Sequence, residues 1–178
     1  MRSSRAWVGA CLLAWGLVPA VASQGADVPE AAIKAVLLFK LPRFVYLPEG
    51  DKGRPARICV LGDEILGRAL DRLAQANPGP QGVQVRQPAN IGGGEGCDYL
   101  FIGRIEAGNV RNTLRQLSDT AVVTVSDIDG FARMGGMVEL APQNDRAGIQ
   151  ILINRRAAVQ RDIEFNAQLL RLARIVEP

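Results

Sequence analysis

Three short, nearly unbroken apolar runs constrain this chain more than any other feature: RICVL (57–61), DYLFIG (98–103) and AVVTV (121–125). A strand with only one buried face alternates apolar and polar residues, whereas these do not alternate. They read as strands covered on both sides, the signature of a parallel sheet. The segments after the first two runs support this. Gly62-Asp63 opens a segment running to about Ala76, with Ile65, Leu66, Ala69, Leu70 and Leu73 at helical spacing, and Asn77-Pro78-Gly79-Pro80 stops it. A second helical segment runs from about Glu106 to Leu117. The expected fold is therefore α/β, a mostly parallel central sheet covered by helices on both faces.

The flanking segments add to this frame. Asp27, Pro29 and Glu30 form a helix start, and AAIKAVLLFKL continues as a largely buried helix whose only charges are Lys34 and Lys40; Pro42 ends it. Val83–Val85 is a small strand. After Val125 the pattern changes, because Met137–Leu140 and Gly148–Ile153 flank a polar PQNDRA turn with no room for a crossover helix. They predict an antiparallel hairpin in the C-terminal part. Asn154 then caps a short helix, and a last helix is expected from about Phe165 to Val176, with Phe165, Leu169, Leu172 and Val176 on its buried stripe.

The first 22 residues read as an export signal. Arg2 and Arg5 form a basic start, Trp7–Val18 is apolar, and Ala20-Val21-Ala22 presents small residues for cleavage after Ala22. A run of that length is too short to span about 30 Å of hydrocarbon at about 1.5 Å per residue. An uncleaved anchor is the alternative. Residues 23–178 then make one domain in an exported, soluble protein. The charge balance also changes: 21 Lys+Arg against 18 Asp+Glu become 19 against 18 once Arg2 and Arg5 leave. With no basic run interleaved with aromatics, nucleic acid and anionic lipid are poor partners.

The chain contains no histidine, which excludes a Ser-His-Asp triad, a Cys-His dyad, a His-ligated zinc site and a histidine base together. Gly62 lacks the further glycines of a dinucleotide turn. Gly92–Gly94 lacks the lysine and hydroxyl of a phosphate loop. Asp127, Asp129 and Glu139 do not follow a calcium-loop pattern, and Glu139, between Val138 and Leu140, is expected to face solvent. The segment SDIDGFARMGGMVEL (126–140) reads as a corner, with Gly130, Gly135 and Gly136 permitting tight turns and Phe131 and Met134 plugging the sheet edge. Arg111 with Arg115, and Arg171 with Arg174, each read as a solvated helix face.

Cys59 and Cys97 remain after leader removal. In an oxidising compartment an even pair usually bridges; two buried free thiols are the alternative. The bridge would close a loop of about 39 residues.

In this order, KAVLLFKLPRFVYLP, RICVLGD, CDYLFIG, VVTVSDIDGFARMGGMVEL, IQILINRRAAV and QLLRLARIV resemble the YfiR-like family of periplasmic regulators. The resemblance implies a regulator with no catalytic activity and no cofactor. Its expected partner is the periplasmic portion of an inner-membrane diguanylate cyclase, which it represses within cyclic-di-GMP signalling. An OmpA/Pal-like outer-membrane lipoprotein relieves that repression by sequestering the repressor. The family's disulfide bonding and dimerisation carry over as expectations, with Cys59 and Cys97 matching one of its recurring cysteine pairs. The chain departs from the family at Leu47-Pro48, where Trp-Pro is frequent, and at Asp162-Ile163 and Asn166-Ala167 before the last helix. The candidate partner surface joins those places: Phe44, Tyr46 and Leu47 with Phe165. Two other classes compete. A periplasmic small-ligand sensor needs a pocket at the carboxyl ends of the parallel strands. A histidine-free hydrolase would rest on Asp63, Asp127 and Asp129.

Overall fold

A computed structural model describes residues 30–48, 53–79, 82–90, 96–104, 109–143 and 148–177. The expected leader, Asp27 and Pro29, Gly92–Gly94, Glu106 and the tip of the PQNDRA turn lie outside them.

The chain begins with α1 (Glu30–Lys40), passes through a 3-10 turn (Leu41–Phe44) and enters β1 (Val45–Tyr46). Then come β2 (Ala56–Leu61), α2 (Glu64–Ala76), β3 (Val83–Arg86), β4 (Tyr99–Ile102), α3 (Val110–Gln116) and β5 (Val123–Ser126). The remainder is β6 (Val138–Pro142), β7 (Ile149–Ile153), α4 (Arg155–Val159), β8 (Glu164–Phe165), α5 (Ala167–Leu172) and β9 (Arg174–Ile175). The main sheet has the order β3-β2-β4-β5-β6-β7-β9. Its first five strands are parallel to one another, β7 is antiparallel to β6, and β9 is parallel to β7.

Successive residues of the three apolar strands feed two cores, as the period of two requires. Ile58, Val60, Tyr99, Phe101, Val123 and Val125 meet α1, α2, α4 and α5 on one face. Cys59, Leu61, Leu100 and Ile102 meet α3 on the other, with Val110, Leu114 and Leu117. Both faces are covered, and the hairpin is where the sequence places it.

Helix ends follow their side chains. Asp63 Oδ1 accepts the Leu66 N–H at 2.9 Å and starts α2. Asn154 and Asn166 do the same for α4 and α5 through Ala157 N–H (3.0 Å) and Leu169 N–H (2.9 Å).

The last helix is shorter than its periodicity predicts. It occupies Ala167–Leu172; Ala173 turns extended, and β9 joins the sheet beside β7. Leu172 is therefore 73% exposed instead of core. Phe165 precedes the helix, in β8. Ile65, placed on the buried stripe of α2 by spacing, is also exposed.

SDIDGFARMGG is a crossover between parallel neighbours. Parallel strands normally need a connection of about a dozen residues or more, usually a helix; here residues 127–137 return the chain from β5 to β6 through turns alone. Gly130 (φ 74°) and Gly135 (φ 106°) adopt left-handed conformations. Gly136 leaves room for Phe131, because an added Cβ would lie 2.1 Å from the ring. Phe131 is fully buried in the α3-side core, so it anchors the crossover within the fold and is no plug at the sheet edge.

Glu139 corrects its expected place. It is 2% exposed, and its carboxylate accepts the Gly130 N–H at 3.1 Å and the Ala132 N–H at 3.0 Å. Turn hydrogen bonds within the crossover take up the Phe131, Met134, Gly135 and Gly136 amides; a buried amide must find a partner, and Glu139 supplies it for Gly130 and Ala132. Asn154 donates to Ala132 C=O at 2.8 Å, and Ser126 Oγ accepts the Ile128 N–H at 3.1 Å.

Candidate functional site

The four residues expected to form a partner surface converge, by a route no sequence pattern shows. β1 and β8 pair antiparallel in a separate two-stranded ribbon, Val45 opposite Phe165 and Tyr46 opposite Glu164. Asn166 N–H closes it by donating to Phe44 C=O at 2.9 Å. The pairing also sorts the side chains. Val45 is buried, and Phe44, Leu47 and Phe165 pack half-buried against the α1–α2 core. Tyr46 points the other way and is 62% exposed, beside the exposed Glu164. One aromatic ring is thus exposed, beside two half-buried aromatics and a leucine that pack against the core.

A small-ligand sensor needs its pocket at the carboxyl ends of the parallel strands. β2 runs to β3 on one side while β4 lies on the other, which makes their ends the switch point of the sheet. There Gly103 N–H donates to Leu61 C=O at 2.7 Å, and a Cβ on Gly103 would lie 2.6 Å from the Gly62 oxygen. Only glycine allows this approach.

Next to it, at the end of β5, Asp127 meets Lys34 of α1. Both side chains are 7% exposed. Lys34 also pairs with Glu30, and Arg104 Nε stands 3.6 Å from Asp127. Burial alone would lower the Lys34 pKa; hydrogen bonds and charge from Asp127 and Glu30 outweigh it and hold it above the usual lysine value. Asp127 Oδ1 is buried with no hydrogen-bond partner among the described residues. The three acids considered for a metal separate: Asp127 is paired to lysine, Glu139 is tied to amides, and Asp129 is exposed. Among the described residues no three metal-binding side chains converge.

Cys59 in β2 and Cys97 just before β4 are joined by a disulfide, with Cα atoms 5.9 Å apart. Beside it, Asp98 gathers both terminal nitrogens of Arg54 (2.7 and 2.9 Å), the Arg57 N–H (2.8 Å) and the Arg57 guanidinium (3.1 Å). Burial would raise the Asp98 pKa, but these donors overcome it and bring it down from 3.8 to about 2. A carboxylate with a lowered folded pKa stabilises above its unfolded pKa, and that contribution disappears as pH falls through the folded one. Wild type should therefore lose roughly 2 kcal/mol between about pH 5 and pH 2 that Asp98→Asn does not lose. Urea unfolding across that range measures it, and parallel pH profiles for the two proteins would refute it.

A sequence model of the YfiR/HmsC-like family matches residues 31–174, from α1 to β9. The chain belongs to the YfiR/HmsC-like family. The family in general acts in periplasmic regulation of a diguanylate-cyclase system. No helix among the described residues of this YfiR/HmsC-like chain is long and apolar enough to cross a membrane.

No curated protein matches in sequence; solved structures do match in fold. A conserved domain protein from Vibrio cholerae O1 biovar El Tor superposes with a TM-score of 0.59 at 12% identity, over 84% of this chain and 60% of that one. A Streptococcus pneumoniae ABC domain in complex with L-Trp gives 0.55 at 10% identity, over 82% and 60%. A ligand-free, open substrate-binding protein with adhesive properties from Clostridium difficile gives 0.55 at 12%, over 78% and 57%. The chain spans about three fifths of each of these structures, and at such identities the likeness is one of fold alone.

Proposed function

We propose that the protein is a non-catalytic periplasmic repressor, exported with cleavage after Ala22, that acts by contact on the periplasmic portion of an inner-membrane diguanylate cyclase. Binding holds the cyclase in an inactive arrangement, and loss of the repressor shifts the equilibrium to the active one. An OmpA/Pal-like outer-membrane lipoprotein competes for the repressor, and a homodimer is the form that binds.

The observation behind this reading is the ribbon. It adds nothing to the main sheet, yet the core fixes its position and leaves Tyr46 exposed. A rigid aromatic with a polar tip loses little freedom on binding, and such residues dominate interface energetics. Phe44, Leu47 and Phe165 contribute their open edges around it.

The test uses the periplasmic portion of an inner-membrane diguanylate cyclase from the same cell. Tyr46→Asp should weaken binding at least about tenfold, the scale of a modest hot spot, and raise cyclic-di-GMP in cells, with the melting temperature unchanged. Affinity equal to wild type would remove the ribbon from the interface.

A further inference from the structure

One face of the sheet is partly open toward its β7–β9 end. Side chains of alternate residues share a side, so the pairing of Glu139 with Leu152 and of Leu152 with Arg174 aligns these three across β6, β7 and β9. Ala141 opposite Gln150 forms the next row. This is the side carrying Ser126, which pairs with Glu139. On that side α3 packs on β2 and β4. Over the last three strands the surface opens into a cleft of about 310 Å³.

The cleft's charges are unevenly satisfied. Glu139 on the floor has both oxygens committed to crossover amides. Arg133 of the crossover and Arg174 of β9 both line the cleft. Both are exposed, and among the described residues neither has a hydrogen-bond or ion-pair partner. Among the described residues Asp129, exposed to water, is the only other charged lining residue. Gln150 on the floor adds a neutral amide donor. Two unmatched guanidinium groups facing one polar cleft form a site for an anion, since each presents a planar fork suited to carboxylate or phosphate oxygens. The volume is at the low end for ligand pockets, which selects a ligand of a few heavy atoms.

We propose that this cleft binds a small carboxylate- or phosphate-bearing anion between Arg133 and Arg174. The anion bridges the β5–β6 crossover to the C-terminal strand. The site is separate from the ribbon, and its test does not depend on the cyclase contact.

Calorimetric titration of the mature protein at low ionic strength, with succinate and separately with inorganic phosphate, decides it. Saturable binding of at least one probe is expected, and the probe that binds identifies the source chemistry. Arg133→Gln/Arg174→Gln should weaken it at least about tenfold, and so should Gln150→Glu, which places a negative charge on the floor. Arg155→Gln/Arg156→Gln, on another surface, should leave it unchanged. No binding of either probe up to roughly 10 mM, survival in both cleft variants, or equal loss in the distant arginine variant would overturn the proposal.

Discussion

Replacing Lys34 by methionine is expected to destabilise the fold by about 3–5 kcal/mol, the range for removing one partner of a buried ion pair. Methionine matches the length and apolar stem of lysine, so the packing of α1 on α2 is kept. What is lost is, among the described residues, the only buried cation beside Asp127, whose Oδ1 already lacks a partner there. Arg104 is no substitute, since it stands 3.6 Å away on a side chain 71% exposed to water. Removing both charges should be far less harmful, because an apolar pair in place of a buried ion pair is often neutral. Lys34→Met/Asp127→Leu is thus expected to recover much of the loss. Urea unfolding of the four proteins in the cycle should give a coupling of at least about 2 kcal/mol; strictly additive losses would refute it. The pH dependence has a definite sign. Because the folded Lys34 pKa is raised, its contribution is complete below the unfolded value of 10.5 and is lost as pH rises through the folded one. Wild type should lose stability at strongly alkaline pH in a way that Lys34→Met does not.

That pair also shows where sequence reading stops. The apolar runs at 57–61, 98–103 and 121–125 carry their own evidence, because a strand covered on both faces needs unbroken apolar character. They lead directly to the parallel sheet, and Asp63 and Asn154 are legible as caps from their neighbours alone. Lys34 and Asp127 are 93 positions apart; nothing near either residue signals the other, and a lone lysine on an apolar helix gives no indication of its counter-ion. Glu139 misleads for a related reason. Alternation of Val138, Glu139 and Leu140 does assign Glu139 to the opposite face, but that face is solvent only if nothing covers it, and here the crossover does. The last helix fails on length: Phe165, Leu169, Leu172 and Val176 keep helical spacing, yet β7 offers an open edge, and pairing Arg174–Ile175 there displaces the final helical turn. The ribbon is half legible. Its residues stand out by apolar character and family position, whereas the exposure of Tyr46 against the burial of Val45 requires the β1–β8 register.

Removing the Cys59–Cys97 bridge is expected to lower stability by about 3–4 kcal/mol, since it closes a long loop and its loss returns that entropy to the unfolded chain. At this domain size that corresponds to a fall in melting temperature on the order of 10 °C. Cys59→Ala/Cys97→Ala measures the effect directly, and an unchanged melting temperature would argue against it. Reduction of the wild-type protein should be slow, because Cys59 is fully buried and Cys97 is 5% exposed. Dithiothreitol can reach the sulfurs only through an opening of the β2–β4 region, so the rate of reduction should follow the opening equilibrium and rise with urea. The consequence for partner binding comes from position. The bridge faces the α3-side core and the ribbon packs on the other one, so reduction does not alter the contact surface itself. Release of a partner on reduction should therefore occur near the lowered melting transition and be absent well below it. Release at low temperature from a reduced protein that is still fully folded would instead place the disulfide region within the interface.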